Sequence, residues 1–142
     1  IMKIAICLLL AVCLQACGSG ARTPASARWV ADDCVEVLYF HGKQRCKTCT
    51  AIEKVARETI AEAFADEADE GKVVFRVIDT SAPEGEALAD QYGVTWASLF
   101  VNRWERGEER RHDLTAEAFA KVPSDREAFR KRLTETIAKE LE

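Results

Sequence analysis

Apolar residues in this chain recur at helical spacing behind a short extended run. Ile52, Val55, Ala56, Thr59, Ile60, Ala63 and Phe64 form one apolar face, with Glu53, Lys54, Arg57, Glu58 and Glu62 on the other. The β-branched and aromatic run from Val35 to Phe40 reads as a strand leading into that helix. Ala65 to Gly71 reads as an acidic, turn-like link, and Val73 to Ile78 is nearly continuously apolar, as expected of a strand at a sheet's centre. Asp79 to Glu84 reads as a loop. Gly85 to Tyr92 reads as a short helix presenting Ala87, Leu88, Gln91 and Tyr92, with Gly93 where a helix stop belongs. Thr95 to Val101 predicts a third strand. Asn102 to Arg110, with Gly107, predicts a hairpin turn into a short charged strand around Arg110 to Leu114. Thr115 to Val122 suits a helical turn. Ser124-x-x-Glu127 then forms a capping box for a last helix that buries Phe129, Leu133, Ile137 and Leu141.

Between the first strand and the first helix lies Cys46-Lys47-Thr48-Cys49. This placement puts Cys46 at or beside the helix N-terminus and Cys49 one turn inside. Unpaired N–H groups and the positive end of the helix dipole favour a thiolate at Cys46. Arg45 and Lys47 flank it and act in the same direction. Thiols in such settings have pKa values of roughly 3.5–7.5 instead of ~8.5. Cys49, deeper and more buried, is expected to stay protonated and to resolve a mixed disulfide from behind. Cys-x-x-Cys also occurs in zinc knuckles. The strand before it and the helix after it favour a thiol–disulfide site.

Composition permits one folded domain plus extras. The chain has 142 residues, 48% apolar and 31% charged, enough for a real core. A net charge of −4 with interleaved signs gives no nucleic-acid surface. The six cysteines fall three before residue 18 and three after residue 33, which does not make a disulfide framework.

Ile1 ahead of Met2 suggests an upstream or misread start, with Met2 as initiator. Lys3 followed by the apolar run Ile4 to Leu14 suits a signal-peptide core and is too short to span a bilayer. Leu14-Gln15-Ala16-Cys17 resembles the lipobox of bacterial lipoproteins, although Gln15 replaces the usual small residue; the alternative is an ordinary signal peptide with a chance Cys. The lipobox reading makes residues 1–17 signal and lipobox, with Cys17 acylated. Residues 18–29 become a small, polar, flexible tether, and residues 30–142 the folded domain. The protein is then expected in the cell envelope, membrane-anchored and facing the periplasm or exterior. Cys34 is too far along its strand to pair with the site. Residues 34 to 41 span ~23 Å, against a Cα separation below ~7 Å for a disulfide. It reads as a small apolar residue at the sheet's far end, or a thiol apart from the site.

The order strand, Cys-x-x-Cys helix, strand, helix, hairpin, helix resembles the thioredoxin fold. Val77-Ile78-Asp79, Ala89-Asp90-Gln91-Tyr92-Gly93-Val94 and Leu99-Phe100-Val101 match its later landmarks. The resemblance implies an α/β, thioredoxin-like domain with a four-stranded mixed central sheet flanked by helices. Phe40-His41-Gly42-Lys43-Gln44-Arg45-Cys46 and Gly93-Val94-Thr95-Trp96 resemble one subgroup more closely. Its members are small bacterial thioredoxin-like proteins described as nitrophenyl compound nitroreductase subunits, often linked with arsenic-resistance operons. Three departures stand out. The position of the thioredoxin cis-proline falls in Trp96-Ala97-Ser98, where a cis bond before Ala97 would cost ~2.5–4 kcal/mol. Arg45 replaces the aromatic residue before the first Cys, and Tyr39 stands near the place of the buried Asp.

The reading that follows is thiol–disulfide exchange by Cys46 and Cys49 with protein or small-molecule thiols and disulfides. No cofactor is implied, and the chain is expected to be a monomer without nucleic-acid partners. Arg45, Lys47 and His41 are candidate tuning residues, and Trp96 and Ala97 candidate substrate-loop residues. His112, Trp29 and Trp104 read as solvated, packing or surface positions. Two other readings stay open. Cys46 and Cys49, with His41, could chelate Cu(I), Zn(II) or arsenite, or the fold could be a redox-inert interaction subunit.

Overall fold

The computed structural model describes residues 33–142. The expected signal, lipobox and tether, with Cys17 and Trp29, lie outside the described residues. Four strands form one sheet: β1 (Cys34–His41), β2 (Val73–Asp79), β3 (Ser98–Glu105) and β4 (Glu108–Asp113), in the order β2-β1-β3-β4. β1 and β2 run parallel, whereas β1–β3 and β3–β4 pair antiparallel. The parallel pair is joined through α1 (Lys47–Ala63) and α2 (Ala65–Asp69), and α3 (Pro83–Tyr92) connects β2 to β3. Two helices, α4 (Thr115–Lys121) and α5 (Arg126–Leu141), close the chain. This is the mixed four-stranded α/β architecture that the sequence implied.

Strand alternation divides the core. Val35, Val37 and Tyr39 of β1, with Leu99 and Val101 of β3, pack one face against Ile52, Val55, Ala56 and Ile60 of α1 and Phe129, Leu133 and Ile137 of α5. Leu38, Phe40, Ile78 and Phe100 pack the other face against Ala89, Leu88 and Tyr92 of α3. A Cβ at Gly85 would collide with the Asp79 backbone carbonyl, so only glycine lets α3 lie this close on the end of β2.

Several boundaries differ from the sequence reading. β2 is an edge strand, not a central one. Its apolar run arises because α1 covers Val73, Phe75 and Val77 while α3 covers Ile78 on the opposite face. The acidic link forms a helical turn, α2, with Asp66 and Glu67 favourably placed in its first turn. Gly71 at φ 74° then turns the chain into β2. β3 begins three residues later than predicted and continues to Glu105, because the hairpin bend is confined to Arg106 and Gly107. Both have positive φ, 52° and 83°, the geometry of a tight two-residue connection. The cap of α5 is Asp125, whose carboxylate accepts the Ala128 N–H at 3.0 Å; Ser124 instead donates to the Ala120 carbonyl at 3.3 Å.

Charged side chains tie the last helix down. Glu140, its side chain only 4% exposed, accepts Arg110 at 2.8 Å and lies 2.9 Å from His112 Nε2. His112 therefore turns its buried Nε2 towards α5 while its side chain stays about one-third exposed, so it is only partly solvated. Leu141 is only half-buried, while Phe129, Leu133 and Ile137 are fully enclosed.

Candidate functional site

The end of β1 delivers the chain into a short loop, and α1 begins at Lys47 with Cys46 as its N-cap. Cys46 keeps extended backbone angles, φ −75° and ψ 164°, and its sulfur accepts the Cys49 N–H at 3.0 Å. The sulfur thus takes the role that a Ser or Asp oxygen has at most helix starts, satisfying one orphan donor. The same N–H favours negative charge on that sulfur once the thiol ionises. Cys46 and Cys49 are joined as a disulfide, with Cα atoms 5.0 Å apart. Cys46 is exposed and Cys49 buried among Tyr39, Ile52, Ala97 and Leu99. An outer sulfur open to attack and an inner one shielded by the core is the asymmetry that two-step exchange requires.

The flanking residues divide. Lys47 occupies the first helical position and is exposed, with no acidic residue in that turn. Arg45 is engaged by Glu53, with which it forms an ion pair, and by the Tyr39 ring, whose centroid lies 5.9 Å from its guanidinium carbon. Glu53 also accepts Arg57 at 2.9 Å. Burial works against the charge of Glu53, but the hydrogen bonds from Arg57 and Arg45 outweigh it and hold its carboxyl below the ordinary value. Burial likewise opposes the charge of Arg45, yet the Glu53 partner pushes its pKa up.

Tyr39 fills the space beneath the pair. It is wholly buried, and its hydroxyl donates to the Cys49 carbonyl oxygen at 2.7 Å. Burial raises the phenol's pKa against the opposing influence of Arg45. His41 sits at the strand end with Nδ1 3.0 Å from the Gly42 carbonyl and its ring 6.3 Å from that of Tyr39. Its backbone carbonyl accepts both the N–H and the hydroxyl of Thr80, fixing the end of β1 to the loop after β2. Among the described residues, no three His, Cys, Asp or Glu side chains gather to hold a metal ion.

Ala97 precedes β3 at the same end of the sheet, since Ser98 pairs with Phe40. It is buried in the cluster that holds Cys49. Among the described residues no peptide bond is cis, so the bond before Ala97 is trans. Beside it Trp96 is 59% exposed and stacks on Phe119 of α4 at 4.9 Å between centroids. Cys34 lies at the opposite end of β1, fully buried and remote from the pair.

Two members of this site escaped sequence reasoning. Glu53 fell on the polar face of the α1 pattern. Its position one helical turn after Cys49 was the available signal. Phe119 gave none, because only the return of α4 over the start of β3 brings it to Trp96.

No protein-family model and no curated protein sequence matches the chain. Among solved structures it is similar to the solution structure of a thioredoxin from Thermus thermophilus, with a TM-score of 0.48 and 18% identity over 75% of this chain and 76% of that one. It is also similar to the structure of a malarial protein, with a TM-score of 0.41 and 16% identity over 66% of this chain and 98% of that one. The strand order β2-β1-β3-β4, with a Cys-x-x-Cys pair opening the helix after β1, makes the fold thioredoxin-like.

Proposed function

We propose that this chain is a thiol–disulfide exchange protein working through Cys46 and Cys49. One observation carries the reading: the two cysteines form a disulfide at the start of α1 with Cys46 exposed and Cys49 buried. In the reduced protein the Cys46 thiolate attacks one sulfur of a partner disulfide. That disulfide breaks, and the departing partner thiolate takes up a proton. Cys49 then gives up its proton and attacks the Cys46 sulfur, forming the internal disulfide and expelling the second partner thiolate. Two electrons pass from the pair to the partner, and the reverse sequence oxidises a dithiol.

The exposed ring of Trp96, stacked on Phe119 near Ala97, supports a docking role beside the sulfurs. Lys47 and the helix N-terminus support the thiolate at Cys46. The lipobox-like Leu14-Gln15-Ala16-Cys17 supports anchoring of the domain in the cell envelope through Cys17, with partners drawn from that compartment. The run from Phe40 to Cys46 supports kinship with the arsenic-operon group of thioredoxin-like proteins; the proposed chemistry is dithiol exchange, whatever label that group carries.

The test is capture of partners by a Cys49→Ser variant in cells. It should hold partners on Cys46 as mixed disulfides that dithiothreitol releases. A Cys46→Ser, Cys49→Ser double variant should hold none, and equal capture by both variants would overturn the proposal.

A further inference from the structure

Arg45 is the residue next to Cys46, placed by sequence to stabilise a thiolate there. Its guanidinium is instead claimed by Glu53 and lies over the Tyr39 ring, 5.9 Å from the centroid. Glu53 has a second cation, Arg57 at 2.9 Å, whose guanidinium carbon lies 5.2 Å from the Phe75 ring centroid. The carboxylate is mostly enclosed, 16% exposed, and Arg45 is 31% exposed. We propose that Glu53 governs the redox couple by competing with the Cys46 thiolate for the guanidinium of Arg45. Glu53 is thus a positioning residue, and the inference rests on the exchange reading above.

Charge accounting gives the mechanism. In the disulfide form the Cys46 sulfur is neutral, so Glu53 is the anion available to Arg45. A dithiol donor reduces the pair by giving two electrons and becoming a disulfide itself. The Cys46–Cys49 bond breaks, Cys49 takes one of the donor's protons, and the other goes to solvent. A thiolate then stands at Cys46, one residue from Arg45, and two anions share one cation. Arg57 keeps Glu53 paired while Arg45 moves between them. Other charged and titratable groups at this end of the sheet are Lys43 in the loop before α1, Lys47 on α1, Tyr39 and His41 on β1, and Asp79 at the end of β2; Asp79 already accepts the N–H and hydroxyl of Ser81 at 2.9 and 2.6 Å. The stronger the hold of Glu53 on Arg45, the less the reduced form is stabilised, and the more reducing the couple becomes.

The experiment is equilibration of the purified full chain with glutathione buffers, for the parent, Glu53→Gln, Arg45→Gln and the double variant. Glu53→Gln should favour the dithiol form about threefold to tenfold, where tenfold is ~30 mV for a two-electron couple. In the Arg45→Gln background the same change should fall below about twofold, since the competition no longer exists. Arg57→Gln, which leaves Glu53 to Arg45 alone, should shift the balance the other way. An unchanged or reversed response to Glu53→Gln overturns the inference. So does an undiminished response in the Arg45→Gln background, because direct repulsion between Glu53 and the thiolate would then suffice. A parent chain with no reversible couple overturns the exchange reading as well, whereas a normal couple indifferent to Glu53 overturns this inference alone. Melting curves for each variant guard against unfolding, and a merely structural role for Glu53 would move those without moving the equilibrium.

Discussion

The buried hydroxyl of Tyr39 donates to the carbonyl oxygen of Cys49 at 2.7 Å, joining the centre of the sheet to the first turn of α1. That carbonyl also accepts within the helix, so the tyrosine adds a second bond and is not its sole partner. Tyr39→Phe removes the hydroxyl and keeps the ring. The unfolding free energy should fall by about 1 kcal/mol, lowering Tm by a few degrees. Denaturant and thermal melts of the two proteins measure this. An unchanged Tm would mean that the bond contributes nothing net to the placement of the pair.

Lys47→Glu puts a negative charge beside Cys46 at the first position of α1. It should disfavour the thiolate, reducing its fraction near neutral pH by about threefold to tenfold. The ultraviolet thiolate titration should move to higher pH and the reduction potential to a more negative value. Movement to lower pH would show that Cys46 is not the ionising thiol.

Glu53 predicts an acid limb of stability. Its folded-state carboxyl titrates below its ordinary value, so its pairing with Arg45 and Arg57 contributes fully above that value. The contribution is lost as pH falls through the depressed folded value. Urea midpoints measured from neutral pH down into the carboxylate range should therefore drop more steeply for the parent than for Glu53→Gln. Parallel curves would show that the ion pairs add no pH-dependent stability.

Trp96→Ala should separate docking from chemistry. The stack on Phe119 is half-exposed, so its loss should cost no more than about 1 kcal/mol. Exchange with glutathione should be unchanged, and turnover of a protein disulfide should show a severalfold higher KM. Equal effects on both substrates would place Trp96 in the packing of the site, not in recognition.

The layout of the site was legible in the sequence because it is local. The β-branched run, the thiol pair and the apolar face from Ile52 to Phe64 lie consecutively, and each carries its own period. What escaped depends on contacts distant in sequence or on competition between short-range signals. The apolar run of β2 looked central because periodicity records which faces are covered, not how many strands lie alongside. Asp125 displaced Ser124 as a cap by a shift of one residue, a choice made by the turn after α4. His112 looked solvated until α5 brought Glu140 against β4. Arg45 was assigned to Cys46 because they adjoin, whereas the fold gives its guanidinium to Glu53.

The central claim is that Cys46 and Cys49 form a reversible dithiol–disulfide couple. Its most direct test is a redox titration of the purified full chain in glutathione buffers. Thiols are trapped by alkylation and assigned to Cys46 or Cys49 by peptide mass. The account predicts that both cysteines lose reactivity together, along a two-electron curve, and that Cys46→Ser abolishes it. Cysteines that stay alkylatable across the whole range, or that form mixed disulfides with glutathione independently of each other, would contradict it.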